Sequence, residues 1–198
     1  MIKKKYLALV LARKGSRRLK NKNILKLGSK PLISWTLSNL KKIRYLFVDI
    51  LVSSDSDVVK KISKDAGLLF VKRPNNLAKS RTSSESSAIH SINYYQKKYN
   101  QIKYVILFQP TSPFRKNSTI KKVLKLSVKN PSKQIVTVNN KSSKPNGLIY
   151  LTPVKTLKKF KSFSNKNFLP LITKSKEETI DIDTRYDFKI AKKFIDEG

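Results

Sequence analysis

Two groups of residues, far apart in the chain, have the types and spacing to handle a polyphosphate. The first is the loop from Leu11 to Asn23, which sets Arg13, Lys14, Arg17, Arg18, Lys20 and Lys22 around Gly15 and Ser16. A turn of small residues lets a backbone approach a ligand closely, and the surrounding cations offset its negative charge. No Gly-Lys-Ser/Thr closes the loop, so this is not a Walker phosphate loop. A solvated basic turn is the other reading these residues allow. The second group is the pair Asp181 and Asp183. In a strand, residues two apart point to the same face. Two carboxylates on one face offer hard oxygen ligands suited to Mg²⁺. The same pair could instead serve the N-terminus of a helix beginning near Arg185, with Asp183 or Thr184 as its cap. Only 12 of the 198 residues are acidic, so the pair is conspicuous on either reading.

These residues need a frame to bring them together. Apolar strand candidates are Tyr6–Leu11, Leu46–Val52, Leu68–Val71, Tyr104–Phe108 and Ile135–Val138. Between them lie Leu32–Ile43, Val58–Ala66, Ser86–Tyr99 and Thr119–Val128, with apolar residues at three-four spacing. Gly67 is placed to close the helix before it. Alternating strands and helices predict an α/β fold of three layers, Rossmann-like, with a mostly parallel sheet. Beyond Asn139 the pattern changes: Leu148–Leu151 and Phe168–Ile172 are strand-like, and Tyr186–Ile195 reads as a closing helix. Without repeats or a convincing linker, a single domain over residues 1–198 is expected. Open α/β sheets bind ligands at the carboxyl ends of their strands, so the loops at Arg13, Ser53-Ser54-Asp55, Arg73-Pro74 and Gln109–Pro113 should converge there. Asp55 and Asp57 read as helix caps, one of which could approach a ligand. His90 and Trp35 read as packing residues.

Composition narrows the class. A hydrophobic share of 39% with nine Phe and eight Tyr gives a folded core, and no apolar run approaches the roughly 20 residues that span a bilayer. The chain has no Cys, which excludes disulfides and thiol chemistry. A cytoplasmic protein with no membrane partner is expected. The net charge is +32, and it comes from 36 Lys against 8 Arg scattered along the chain. Arg is the better reader of bases and phosphates, and no nucleic-acid-binding signature is present. The charge therefore reads as attraction for anionic small molecules, with weak, salt-sensitive nucleic-acid binding as a by-product.

Six segments, in order, carry a resemblance: LARKGSRRLKNKN at 11–23, KPLISWTL at 30–37, RPNNLAKSRTSS at 73–84, LFQPTSPFR at 107–115, PNGLIYL at 145–151 and TIDIDTRYDF at 179–188. Together the chain resembles the CMP-sialic acid synthetases and their legionaminate and pseudaminate relatives, the acylneuraminate cytidylyltransferase family. The resemblance implies a Mg²⁺-dependent transfer of CMP from CTP to the anomeric hydroxyl of a nine-carbon 2-keto sugar acid. It implies that Arg13, Arg17 and Lys22 hold the triphosphate and that Asn23 orients a phosphate oxygen or the ribose. Leu11, Ala12, Gly15 and Ser16 complete that nucleotide-binding stretch, and Arg73 and Ser84 meet the nucleoside. Gln109, Thr111 and Ser112 meet the sugar acid, with Asn146 and Tyr150 nearby. Asp181 and Asp183 become metal ligands, and Arg13, Lys22 and Asp183 the catalytic set.

The chain also departs from the family pattern. Where the family reads Ser-Lys-Gly-Leu-Pro, this chain reads Ser16-Arg17-Arg18-Leu19-Lys20, so a Gly is replaced by Arg18. Only Asn139–Lys144 joins the strand at Ile135–Val138 to Pro145, where relatives carry an insert with much of their dimer contact. A monomer, or a homodimer through another surface, is expected. A related enzyme for a Kdo-like acid, and a non-catalytic nucleotide- or nucleic-acid-binding relative, are the alternatives.

Overall fold

The computed structural model describes residues 5–16, 18–140 and 144–197. In chain order its strands and helices are β1 (Tyr6–Leu11), β2 (Lys26–Leu27), β3 (Lys30–Pro31), α1 (Leu32–Lys42), β4 (Asp49–Ser54), α2 (Asp57–Asp65), β5 (Leu69–Lys72), α3 (Asn75–Ala78), α4 (Ser84–Lys98), β6 (Tyr104–Phe108), α5 (Asn117–Lys129), β7 (Ile135–Val138), β8 (Pro145–Pro153), α6 (Val154–Phe160), β9 (Leu169–Ile172) and α7 (Arg185–Asp196).

Seven strands form one sheet in the order β5-β4-β1-β6-β8-β7-β9, and β2 and β3 form a small hairpin. The pairs β1/β4, β1/β6, β4/β5 and β7/β9 are parallel; β8 runs antiparallel to β6 and β7. The mostly parallel α/β fold is therefore as the alternation predicts. A parallel strand covered on both faces must be apolar throughout, which is why β1 and β6 read as unbroken apolar runs. Along β1 the side chains divide between two cores. Tyr6, Ala8 and Val10 pack with Ile33, Leu37 and Leu40 of α1, Val59 of α2 and Ile120, Val123 and Leu124 of α5. Leu7 and Leu9 pack with Ala88, Ile92 and Tyr95 of α4 and with Val154 and Leu157 of α6. A third cluster joins Leu19, the β2–β3 hairpin at Leu27, Leu32, Ile182 and Ala191 of α7.

Three expectations are corrected. The strand placed at Leu46–Val52 runs Asp49–Ser54, because Phe47 N–H closes a 3₁₀ turn on Arg44 O at 3.1 Å before the ladder becomes regular. Asp181 and Asp183 lie in extended coil, not in a strand. Asp55 caps nothing: Ser56 caps α2, accepting from Val59 N–H, while Asp55 Oδ1 accepts the backbone N–H of Lys14 at 2.7 Å and ties down the first loop. Gly67, at φ +69°, closes α2 as its position predicts. Among the described residues no helix is long and apolar enough to cross a membrane.

Candidate active site

The strand order reverses between β1 and β6. From β1 the chain steps outward through β4 and β5, then returns through α4 to the other side of β1. That crevice, at the carboxyl ends of the strands, is where open α/β sheets take ligands. A cavity of about 400 Å³ sits there, lined by Leu11 at the end of β1, Leu107 to Thr111 around the end of β6 apart from Phe108, and Ser84 at the start of α4.

One wall carries cations. Arg13, Ser16, Arg18, Leu19, Lys22 and Asn23 of the first loop line the cavity. Asn23, 8% exposed, donates from Nδ2 to Arg13 O at 2.9 Å and so fixes the loop from within. The facing wall carries Asp181 and Asp183. Ile182 between them is fully buried, and its N–H donates to Thr111 O at 2.8 Å. Alternation in extended backbone then turns both carboxylates toward the cavity. The same-side placement expected of a strand is achieved by coil pinned to the loop after β6. The helix-cap role goes elsewhere: Thr184 caps α7 in a reciprocal box with Asp187. Asp187 Oδ2 also accepts the Asp183 backbone N–H at 3.0 Å, so this capping carboxylate positions Asp183.

The two carboxylates are in different states. Asp183 is taken up by cations: Oδ1 accepts from Lys22 Nζ at 2.7 Å, and Oδ2 pairs with Arg18 Nη2. Asp181 is largely buried, and its Oδ1 has no hydrogen-bond partner. Burial, and then the neighbouring Asp183 charge, push its pKa up, against a hydrogen bond from the Thr111 hydroxyl and the Lys22 charge. A buried carboxylate oxygen without a partner is a costly arrangement unless a cation completes it. With no third His, Cys or acidic residue grouped beside the pair among the described residues, the remaining ligands of a Mg²⁺ here would come from water and phosphate, as this ion commonly takes them.

The other site residues expected from sequence are placed as follows. Gln109 and Thr111 line the cavity with Ser84. Ala12 is buried beneath the loop, its N–H bonded to Ser53 O at 3.0 Å, and Gly15 has open space within 4 Å of where a Cβ would stand. Arg17 lies outside the described residues. Arg73 is only 4% exposed; its Nη2 donates to Ser53 O and its Nε has no partner. Burial lowers its pKa to about 10, with Asp55 opposing and Arg13 adding to the drop. Ser112 is buried with its hydroxyl unpartnered. Tyr150 packs on Phe163 and feels Asp181; burial and that charge raise its pKa to about 12. Asn146 uses its amide within the protein, accepting from Thr137 Oγ1 and Leu148 N–H and donating to Asn139 and Thr173. Ser112, Asn146 and Tyr150 are not among the cavity-lining residues.

Arg18 enters the cavity with the other cations of its loop. One feature escapes the sequence reading: Arg115 underpins the cavity. Arg115, 3% exposed, donates from Nε to Leu148 O at 2.8 Å and from Nη2 to Gln109 O at 3.0 Å, with its guanidinium over the Phe108 ring. It clamps the loop after β6 to β8.

Gly147 sits where that clamp closes. At φ +82° it holds a left-handed backbone, and a Cβ there would stand 3.0 Å from Gln109 Oε1 and 3.4 Å from Asp181 Oδ2. Gly147→Ala is therefore expected to lower stability by about 1–3 kcal/mol in urea unfolding, since strain and crowding add. A loss under roughly 0.5 kcal/mol, within the range of ordinary surface substitutions, would contradict this account of the site.

Known proteins resemble this chain in sequence and in fold. The family model described as Cytidylyltransferase matches residues 7–186. The chain is 29% identical over 220 aligned positions to an N-acylneuraminate cytidylyltransferase of Escherichia coli O18:K1:H7, covering 94% of this chain and 51% of that protein. It is 29% identical over 227 positions to a CMP-N,N'-diacetyllegionaminic acid synthase of Legionella pneumophila, covering 96% of each. The chain thus spans about half the length of the first relative and nearly all of the second. Both alignments are longer than this 198-residue chain, so each relative carries residues with no counterpart here. Among solved structures, a cytidylyltransferase from Leptospira borgpetersenii superposes with a TM-score of 0.76 at 17% identity, covering 98% of this chain and 88% of that one. A CMP:2-keto-3-deoxy-manno-octonic acid synthetase complexed with CTP superposes at 0.75 and 13% identity, covering 98% and 99%. At these identities the likeness concerns the fold.

Proposed function

This chain belongs to the cytidylyltransferase family, and we propose that it transfers CMP from CTP to the anomeric hydroxyl of a nine-carbon 2-keto sugar acid of the sialic or legionaminic type. The observation that carries this reading is the meeting of the Arg13–Asn23 loop and the Asp181/Asp183 pair across one cavity at the sheet's switch point. The names of the two 29%-identical relatives support the sugar-acid class.

In the reaction the sugar hydroxyl attacks the α-phosphorus, the bond to the β-phosphate oxygen breaks, and pyrophosphate leaves. Arg13 and Lys22 face the cavity and would hold the β- and γ-phosphates, offsetting charge that builds on the leaving group. Asn23 would keep Arg13 in place through its carbonyl. Ser84, with Arg73 behind the loop, would meet the nucleoside, and Gln109 and Thr111 the sugar acid. Asp181 and Asp183 would hold Mg²⁺, for which the unpartnered Asp181 oxygen and the hard-oxygen pair are a fitting donor set. Such an ion, when bound, supplies Lewis-acid stabilisation of phosphate charge.

The net charge of +32 supports capture of two anionic substrates and, secondarily, weak nucleic-acid binding without sequence preference. The six-residue bridge Asn139–Lys144 supports a monomer or a dimer through another face, since so short a segment cannot bury the roughly 800 Å² per partner of a standard interface. A cytoplasmic location suits the reaction. Product analysis by mass spectrometry, with CTP and a panel of eight- and nine-carbon 2-keto acids, tests the substrate class. CMP-linked nine-carbon product is expected; product from the eight-carbon acid alone would move the chain to a Kdo-like role.

The nucleotide half has its own test. Arg13→Ala or Lys22→Ala should weaken CTP binding by roughly 1.5–3 kcal/mol, the worth of a charge-assisted phosphate contact, and leave cytidine binding unchanged. Equal losses for CTP and cytidine in calorimetry would remove the loop from the phosphate role.

A further inference from the structure

We infer that Arg18 is a movable arm that covers the Asp183 carboxylate and turns to phosphate when nucleotide arrives, so that this chain binds divalent metal and CTP as a coupled pair. The inference rests on the reading of the site given above and adds a residue and a binding order to it.

Two observations carry it. First, both oxygens of Asp183 are occupied by cations, Oδ1 by Lys22 and Oδ2 by Arg18, whereas Asp181 keeps an oxygen with no partner. A metal arriving alone meets one open carboxylate and one already neutralised, and must displace two positive charges to reach the second. Second, Arg18 can leave. Its side chain is 66% exposed, against 11% for Lys22, and its guanidinium makes no other hydrogen bond among those described. It lines two spaces at once: the cavity, and a neighbouring groove of about 490 Å³ whose other cations are Lys20, Arg185 and Lys189. Swinging within these spaces needs side-chain rotation only.

The physical consequence is a linkage. A triphosphate offers Arg18 and Lys22 a stronger anion than one carboxylate, and their withdrawal frees Asp183 for the metal that accompanies the nucleotide. Whatever factor CTP adds to metal affinity, metal must add to CTP affinity. Removing Arg18 uncovers Asp183 in advance. Metal alone should then bind better, and the coupling should shrink.

Calorimetric titration of Mg²⁺ into the full chain decides this, with and without CTP and with no sugar acid present, so that nothing turns over. Arg18→Gly is expected to tighten Mg²⁺ binding to the nucleotide-free protein by roughly 1.5- to fivefold, the range of an exposed ion pair, and to reduce the CTP-to-metal coupling factor by a similar amount. The gain should fade in high salt, which screens an exposed pair. Arg18→Lys, which keeps the charge, should behave like the parent. Unchanged metal affinity in Arg18→Gly, a salt-independent gain, or an absence of metal binding in that variant would overturn the arm. If metal and CTP couple as described but no 2-keto acid yields pyrophosphate, the transfer reading fails and the arm stands.

Discussion

Asp183→Asn should lower CMP transfer by about 10³-fold or more while leaving the protein folded. The substitution keeps the side chain's shape and removes the charge that a hard cation needs. Loss of metal-centred charge stabilisation is worth several kcal/mol, and each 1.36 kcal/mol is a factor of ten. The fold should survive because the backbone N–H of Asp183 remains held by Asp187 and the side chain is partly exposed. Its ion pairs, with Arg18 and Lys22, are exposed or partly so and contribute little to stability. Asp181→Asn should also lose turnover, somewhat less severely, because Asp183 retains a carboxylate on the same side. Pyrophosphate release at limiting Mg²⁺, with a thermal melt of each variant, checks both. Near-normal transfer by Asp183→Asn would remove the pair from the metal role.

The largest stability effect should follow from Arg115→Met, a loss of roughly 3 kcal/mol. The guanidinium is buried, donates to the carbonyls of Gln109 and Leu148, and is favoured by the charges of Glu178 and Asp181. Burial lowers its pKa to about 9, which still leaves it charged at neutral pH. Glu178, 4% exposed, is itself held by the Lys116 N–H and the Thr119 hydroxyl, each at 2.8 Å. A methionine fills the volume but leaves two carbonyls without this donor and removes a buried cation that interacts with the charges of Glu178 and Asp181. Because the clamp joins the Gln109 loop to β8, the variant should also bind substrates less well in proportion to its unfolding. Urea denaturation measures the effect, and a loss below about 1 kcal/mol would show that the clamp is dispensable.

How far the sequence reached follows from the physics of each element. β1 and β6 are bounded as read because strands buried on both faces leave no polar interruption, and β7 because its β-branched residues, Thr137 included, are all buried. β4 was displaced because Ser53 and Ser54 look like a turn, yet both are fully buried, with Ser54 Oγ donating to Ala12 O at 2.5 Å. The β2–β3 hairpin and α3 are too short to show a period, and α6, seven residues long, follows β8 directly at Pro153. The antiparallel direction of β8 is invisible to apolar patterning, yet it is what brings Gly147 against Gln109 and Asp181. In the site, cation loop and carboxylate pair were legible by residue type. Their pairing through Arg18 and Lys22 was not, since 165 and 161 residues separate the partners. Asp187 holds both the Thr184 cap and the Asp183 backbone, a role its residue type alone does not announce.

The central claim is that the Arg13–Asn23 loop and the Asp181/Asp183 pair act on one triphosphate. Pyrophosphate release from CTP tests it most directly, followed with saturating nine-carbon 2-keto acid for the parent chain, Lys22→Ala and Asp183→Asn. The account requires release that depends on the sugar acid and on Mg²⁺ and that both substitutions, from opposite walls, abolish or cut severely. Release that ignores the sugar acid, or that survives either substitution at the parent's rate, would contradict it.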